Sequence, residues 1–238
     1  MIDFPLSLAL FNFVPVVLAG AGVWLLARLV GDQDPDRGTL ALAGAGLILL
    51  GGLCKATWKL VVSATGIDLA WLGNALFPLM APGFALLSVS LLGAGLRMAG
   101  RKSPAWPTWI TFGAIATAFV AAGLRTWVWD IPRGWLLPLL ALASLCNLLL
   151  SGLAIAAAVR LRKPWVAALF AVNLAMIFAL QPIAMAATKT LAMHWTEQSL
   201  TALGTACFAL GAFLLRKLAA ERTGIARTAS SIASAIRL

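Results

Sequence analysis

Tyrosine is absent from this 238-residue chain, and histidine occurs once, as His194. A lone imidazole excludes bis-histidine haem ligation and any histidine-cluster metal site. Lack of tyrosine removes a common proton-relay and phosphate-orienting group. Asp and Glu together number 8 against 18 Lys and Arg, and they form no paired intramembrane aspartates. There is no HExxH, no GxSxG and no Walker glycine-rich loop. The cysteines Cys54, Cys146 and Cys207 lie in apolar segments with neither CxxC nor Cys/His spacing, the usage of buried free thiols. A retinal Schiff base would need a mid-depth lysine in the last apolar segment, which has none before Lys217. No catalytic constellation, cofactor or metal is therefore expected, and the reading leans away from an enzyme.

What the chain has in abundance is apolar sequence. Hydrophobic residues make up 62% and charged residues 11%, where a soluble domain has about 45–50% and 25%. A membrane-spanning helix needs about 20 mostly apolar residues. That window predicts an all-α polytopic membrane protein with seven transmembrane helices, at 6–30, 39–64, 69–97, 105–128, 134–159, 164–188 and 195–217. Glycine, proline and charge punctuate the breaks, as in Asp32-Gln33-Asp34-Pro35-Asp36 and Arg101-Lys102-Ser103-Pro104. Asp3, rather than a basic cluster, precedes the first segment, which reads as a spanning helix and not a signal peptide.

Lysine and arginine divide thirteen to five between the two sides of such a bundle. The richer side carries Arg28, Arg37, Arg97, Arg101, Lys102, Arg160, Arg162, Lys163 and the five basic residues from Arg216 onward. The positive-inside rule puts it in the cytoplasm, with the N-terminus outside and the C-terminus cytoplasmic. Topology thereby accounts for the net charge of +10 without nucleic acid. The expected organisation is a bundle over 1–218 and a basic cytoplasmic tail over 219–238. Ile225, Ile232 and Ile236 would stripe one face of a tail helix flanked by Arg222, Arg227 and Arg237. That composition suits an anionic inner leaflet; a solvated, disordered tail and a partner-binding helix are the alternatives. The expected location is an integral position in a bacterial inner (plasma) membrane.

Polar residues gather in the outer third. Lys55 and Lys59, four residues apart on one helix face, share that depth with Asn12, Asn74, Arg125, Gln181, Glu197 and Gln198, while Asn147 and Asn173 lie nearer the middle. Ionisable groups at membrane depth face protein or water, so this placement predicts a polar crevice open outward and closed below by packing at Gly44, Gly46, Gly51, Gly52, Gly93, Gly95, Gly204 and Gly211. Pro78 and Pro82 mark either a packed kink or a broken helix flooring a site. Trp127, Trp129 and Trp135 read as an interfacial belt, with an aromatic cage as the alternative. Segments one to three and five to seven run in the same directions and share polar features, as a 3+1+3 duplication would produce.

The expected ligand-binding residues are Lys55, Lys59, Asn74, Arg125, Gln181 and Glu197, around an anionic or carbonyl-bearing ligand. For Lys55 a structural role and a ligand-facing role are both open. For Lys59, near its helix end, snorkelling is a sufficient explanation. The expected function is a non-enzymatic sensor, receptor-like binding module or accessory subunit with a protein partner. A small transporter or channel is the alternative. An intramembrane lipid-modifying enzyme using Glu197 or Asp130 comes third.

Overall fold

A computed structural model describes residues 5–180 and 190–235, with side chains as far as residue 222. Among the described residues the regular structure is entirely helical. The elements are α1 (Leu6–Phe11), α2 (Phe13–Gln33), α3 (Pro35–Thr65), α4 (Ala70–Asn74), α5 (Leu76–Met98), α6 (Trp106–Gly123), α7 (Leu136–Arg160), α8 (Pro164–Ala179) and α9 (Leu191–Ala235). A π-helical turn, Leu124–Val128, continues α6.

Among the described residues, six stretches are long and apolar enough to cross a membrane: α1 with α2, α3, α4 with α5, α6 with its π turn, α7, and α9 as far as Arg222. The sixth expected span, 164–188, appears as the 16 residues of α8; Gln181, Pro182 and Lys189 lie outside the described residues. No helix break marks the expected boundary at 218/219, because α9 runs through it. Side chains of the tail beyond Arg222, including its isoleucine stripe, lie outside the described residues.

Helices outrun the apolar windows that predict them. The expected gap at 31–38 shrinks to Asp34, since α2 ends at Gln33 and α3 starts at Pro35. Proline suits a first helical position, where its missing N–H would have no intrahelical partner. The charged residues here are paired. Arg216 Nε on α9 donates to Asp32 Oδ2 at 2.9 Å, and Arg97 Nη2 on α5 lies 3.4 Å from Asp36 Oδ2.

Neighbour relations form a closed ring, in which α2 packs on α3, α3 on α5, α5 on α7, α7 on α8, α8 on α9 and α9 back on α2. Helix α6 stands outside, against α5 and α7, with Ala122 its sole buried residue in Trp106–Gly123. The ring keeps the same neighbour order when α2–α3–α5 and α7–α8–α9 are exchanged. That adjacency is the one a 3+1+3 arrangement needs.

Close packing sits where small residues permit it. A Cβ on Gly44 would lie 2.7 Å from the Gly83 carbonyl oxygen, and one on Gly83 2.8 Å from that of Gly44. Backbone therefore meets backbone where α3 crosses α5. Gly51 meets the Leu76 carbonyl in the same way, Gly204 and Gly211 meet the side chains of Met176 and Phe170, and Gly46 and Gly95 face open space. The main core fills the half of the ring that holds Asp34: Leu26, Val30, Ala41, Leu87, Leu150 and Leu215 are buried together there. Pro78 occupies the first turn of α5, where no intrahelical hydrogen bond is lost, and Pro82 lies inside the helix, which continues past it.

Gly83→Leu should force α3 and α5 apart and cost about 1–3 kcal/mol. Gly46→Ala, on the open face, should leave stability unchanged or slightly raised. Thermal unfolding of both variants in mild detergent checks this; equal losses would contradict the packing described.

Candidate functional site

Helix α3 carries both lysines in its last four turns. Its outer surface faces apolar surroundings, so the ammonium groups turn into the ring, where other helices offer acceptors. Lys59 Nζ donates to Asn12 Oδ1 at 2.9 Å. Asn12 is 7% exposed and donates its own Nδ2 to the Leu8 carbonyl at 2.7 Å. That amide stands at the junction of α1 and α2 and satisfies a carbonyl there. Lys55 Nζ sits 4.2 Å from the ring centroid of Trp58, a cation–π contact. Trp58 in turn donates Nε1–H to Asp68 Oδ1 at 2.7 Å and lies against Gly73 of α4, where a Cβ would approach the indole to 2.9 Å. Asp68 is thus the acceptor of the tryptophan between Lys55 and α4.

Lys55 and Lys59 line a cleft of about 350 Å³ together with Asn12, Glu197, Gln198 and Thr201. Two ammonium groups against one carboxylate leave it net basic. From α9, Glu197, Thr201 and Thr205 reach it at four-residue spacing, which stacks them on one face. Gln198 beside them is 6% exposed. The threonine hydroxyls donate back to their own helix, Thr201 to the Glu197 carbonyl at 2.6 Å and Thr205 to that of Thr201 at 2.8 Å. Their oxygens keep acceptor capacity toward the cleft.

A second cavity, of about 290 Å³, adjoins the first deeper in the ring. All six ring helices contribute to its wall, with Val23, Phe77, Phe84, Met176 and Phe208 among its apolar residues. Its polar residues are Ser144 and Asn147 of α7, Asn173 of α8, and Thr201 and Thr205 of α9. Both volumes fall near the lower end of ligand-pocket sizes, roughly 300–1,000 Å³. Beyond Phe208 the packed core closes the ring.

Of the expected site residues, Lys55, Lys59 and Glu197 come together. Asn74 ends α4 and is exposed, outside the cleft lining. Arg125 lies on the π turn after α6, beyond the ring. Its Nε donates to the Gly134 carbonyl at 3.2 Å, tying α6 to the start of α7. Gln181 lies outside the described residues. Trp127 and Trp129 are 85% and 62% exposed, while Trp135 packs against a small cluster containing Ala81 and Leu139. The three therefore do not enclose a common space.

A second polar cluster went unanticipated at the opposite end. Asp34 is fully buried, with Oδ2 2.9 Å from Arg97 Nε and 3.5 Å from Arg37 Nε. The contacts are close but poorly aligned, and neither carboxylate oxygen accepts a hydrogen bond among the described residues. Arg37 spends its other donors on the carbonyls of Val89, at 3.2 Å, and Pro104, at 2.7 Å. The result is an electrostatic clasp between the α2–α3 turn, α5 and the loop before α6. In sequence these residues look like ordinary interfacial charges, and only the zero exposure of Asp34 distinguishes them.

Comparison with protein-family models, curated proteins and solved structures finds no match. The geometry alone therefore carries the functional reading.

Asn12→Ala should remove the charge-assisted hydrogen bond from Lys59, at a cost of about 1.5–3 kcal/mol, while the Leu8 carbonyl keeps the backbone N–H of residue 12 as its donor. Thermal unfolding in detergent measures it; wild-type stability would mean that Lys59 does not depend on this amide.

Proposed function

We propose that the chain is a non-enzymatic integral membrane binding module, a sensor or an accessory subunit, that receives a ligand in the Lys55–Lys59–Glu197 cleft. In this reading seven helices span a bacterial inner membrane, with the N-terminus outside and the C-terminus in the cytoplasm. The thirteen-to-five division of basic residues supports that orientation, and the apolar course of 164–188 supports a seventh span. The single observation that carries the reading is the convergence of two lysines, a glutamate and two buried amides on one cavity inside the helix ring. Such a cluster is costly in a membrane and is the kind of site where function concentrates. Output then belongs to a partner protein, and the basic tail, with anionic inner-leaflet lipids beneath it, is the element available for that contact.

A transporter or channel is the second reading, favoured by the depth to which the paired cavities penetrate the ring. The packed core beyond Phe208 stands against it. A lipid-modifying enzyme has less support: Glu197 opens onto the cleft, but Asp130 lies exposed in the α6–α7 loop outside the ring, so the two carboxylates share no site.

Extraction of the tagged protein from native membranes in mild detergent should bring down a stoichiometric partner. A protein that always migrates alone would remove the subunit version. Uptake of a solute into proteoliposomes, abolished by Lys55→Ala, would move the assignment to transport.

A further inference from the structure

The cleft and the deeper chamber adjoin and differ in polarity. They share Ala19, Ile48, Met80, Thr201 and Thr205 as common wall. At one end stand Lys55, Lys59, Asn12 and Gln198. At the other, the aromatic and thioether side chains of Phe77, Phe84, Phe208 and Met176 dominate. A small hydrophilic anion would use only the first end. A neutral hydrocarbon would use only the second, and would leave the lysines turned toward nothing it can offer.

Resting on the cleft-binding reading above, we propose that the ligand is a single-chain amphiphile of the fatty-acid class. Its carboxylate lies at the lysine pair and its chain enters the chamber between α5, α7, α8 and α9. Two ammonium groups and one carboxylate in the cleft leave an excess of one positive charge, which a monoanionic head neutralises. The buried amide of Gln198 in the cleft wall adds a neutral donor for a carboxylate. The chain then gains the hydrophobic contribution of burial against Phe77, Phe84 and Phe208, which is large when it is withdrawn from water and much less when it is withdrawn from lipid. The head-group contacts must therefore supply the selectivity, and the chamber supplies the length requirement. Asn173 is 6% exposed and donates to no acceptor among the described residues. Its amide and that of Asn147 give the chamber wall donors for a hydroxyl or carbonyl oxygen partway along the chain.

The test uses the full chain in nanodiscs of zwitterionic lipid, labelled by a photoreactive diazirine derivative of dodecanoate, with unlabelled competitors. Dodecanoate should compete about tenfold better than acetate and about tenfold better than dodecanol. Crosslinks should map to the segment of α9 around Gly204. Lys55→Ala combined with Lys59→Ala should weaken dodecanoate about tenfold and leave dodecanol unchanged. Because the competitor series needs no variant, misfolding of the double mutant does not blunt the test. Acetate matching dodecanoate would overturn the amphiphile and leave the cleft as an anion site. Dodecanol matching dodecanoate would overturn it in favour of simple partition. Failure of every compound to compete would remove the carboxylate cleft itself.

Discussion

Lys55 and Lys59 lie one turn apart on a 31-residue helix whose surroundings are otherwise apolar. Placing such a charge against hydrocarbon costs at least about 2.5 kcal/mol at mid-depth. Their helix must therefore present this face to protein. Once it does, α1 and α2 are fixed by the Asn12 amide that meets Lys59, and α4 by the tryptophan that Lys55 covers. Helix α9 brings Glu197 and its threonines to the same space. The ring closes around the need to keep these groups out of lipid.

The two ends of the ring solve the problem of charge differently. At the Asp34 end the carboxylate is wholly enclosed and arginines from α3 and α5 close over it. Packing there is dense, with Leu87, Leu150 and Leu215 filling the interior. Close backbone approach at Gly44 and Gly83 draws α3 onto α5 above that core. At the lysine end the helices leave a cavity. A buried pair of opposite charges favours rigidity and defined geometry over net stability, and a lined cavity is what a binding surface requires. One end thus holds the bundle together, and the other is the end at which we propose a ligand is received.

Much of this architecture was legible in the residues. Apolar windows locate α2, α3, α5, α6 and α7 to within a few positions, because hydrocarbon demands runs of about 20 such residues and leaves little freedom, whereas α9 runs well past its window. Depth alone singled out Lys55, Lys59 and Glu197, which share the cleft, because an intramembrane charge must turn inward. The same reasoning gave Asn74 and Arg125 a depth but could not give their azimuth. Arg125 belongs to α6, which stands outside the ring, and a polar residue near a helix end satisfies itself locally, as Arg125 does on the Gly134 carbonyl. Asp34 was missed for the complementary reason, since a charge between two helices in an Asp-rich turn gives no sign that arginines 3 and 63 residues later will enclose it. Glu197, Thr201 and Thr205 at four-residue spacing were the readable signal that α9 lines the cavity.

The central claim is that Lys55 faces a water-accessible cleft inside the ring, entered from the outer side of the membrane. With Cys54, Cys146 and Cys207 replaced by alanine, single cysteines can be introduced as Lys55→Cys, Thr201→Cys and Leu50→Cys. Leu50 is 49% exposed on the outer surface of α3 and reports the lipid face. Intact spheroplasts treated with a membrane-impermeant methanethiosulfonate should show modification at positions 55 and 201 and none at 50. Protection of both cleft positions, or modification only when the cytoplasmic side is opened, would contradict the account.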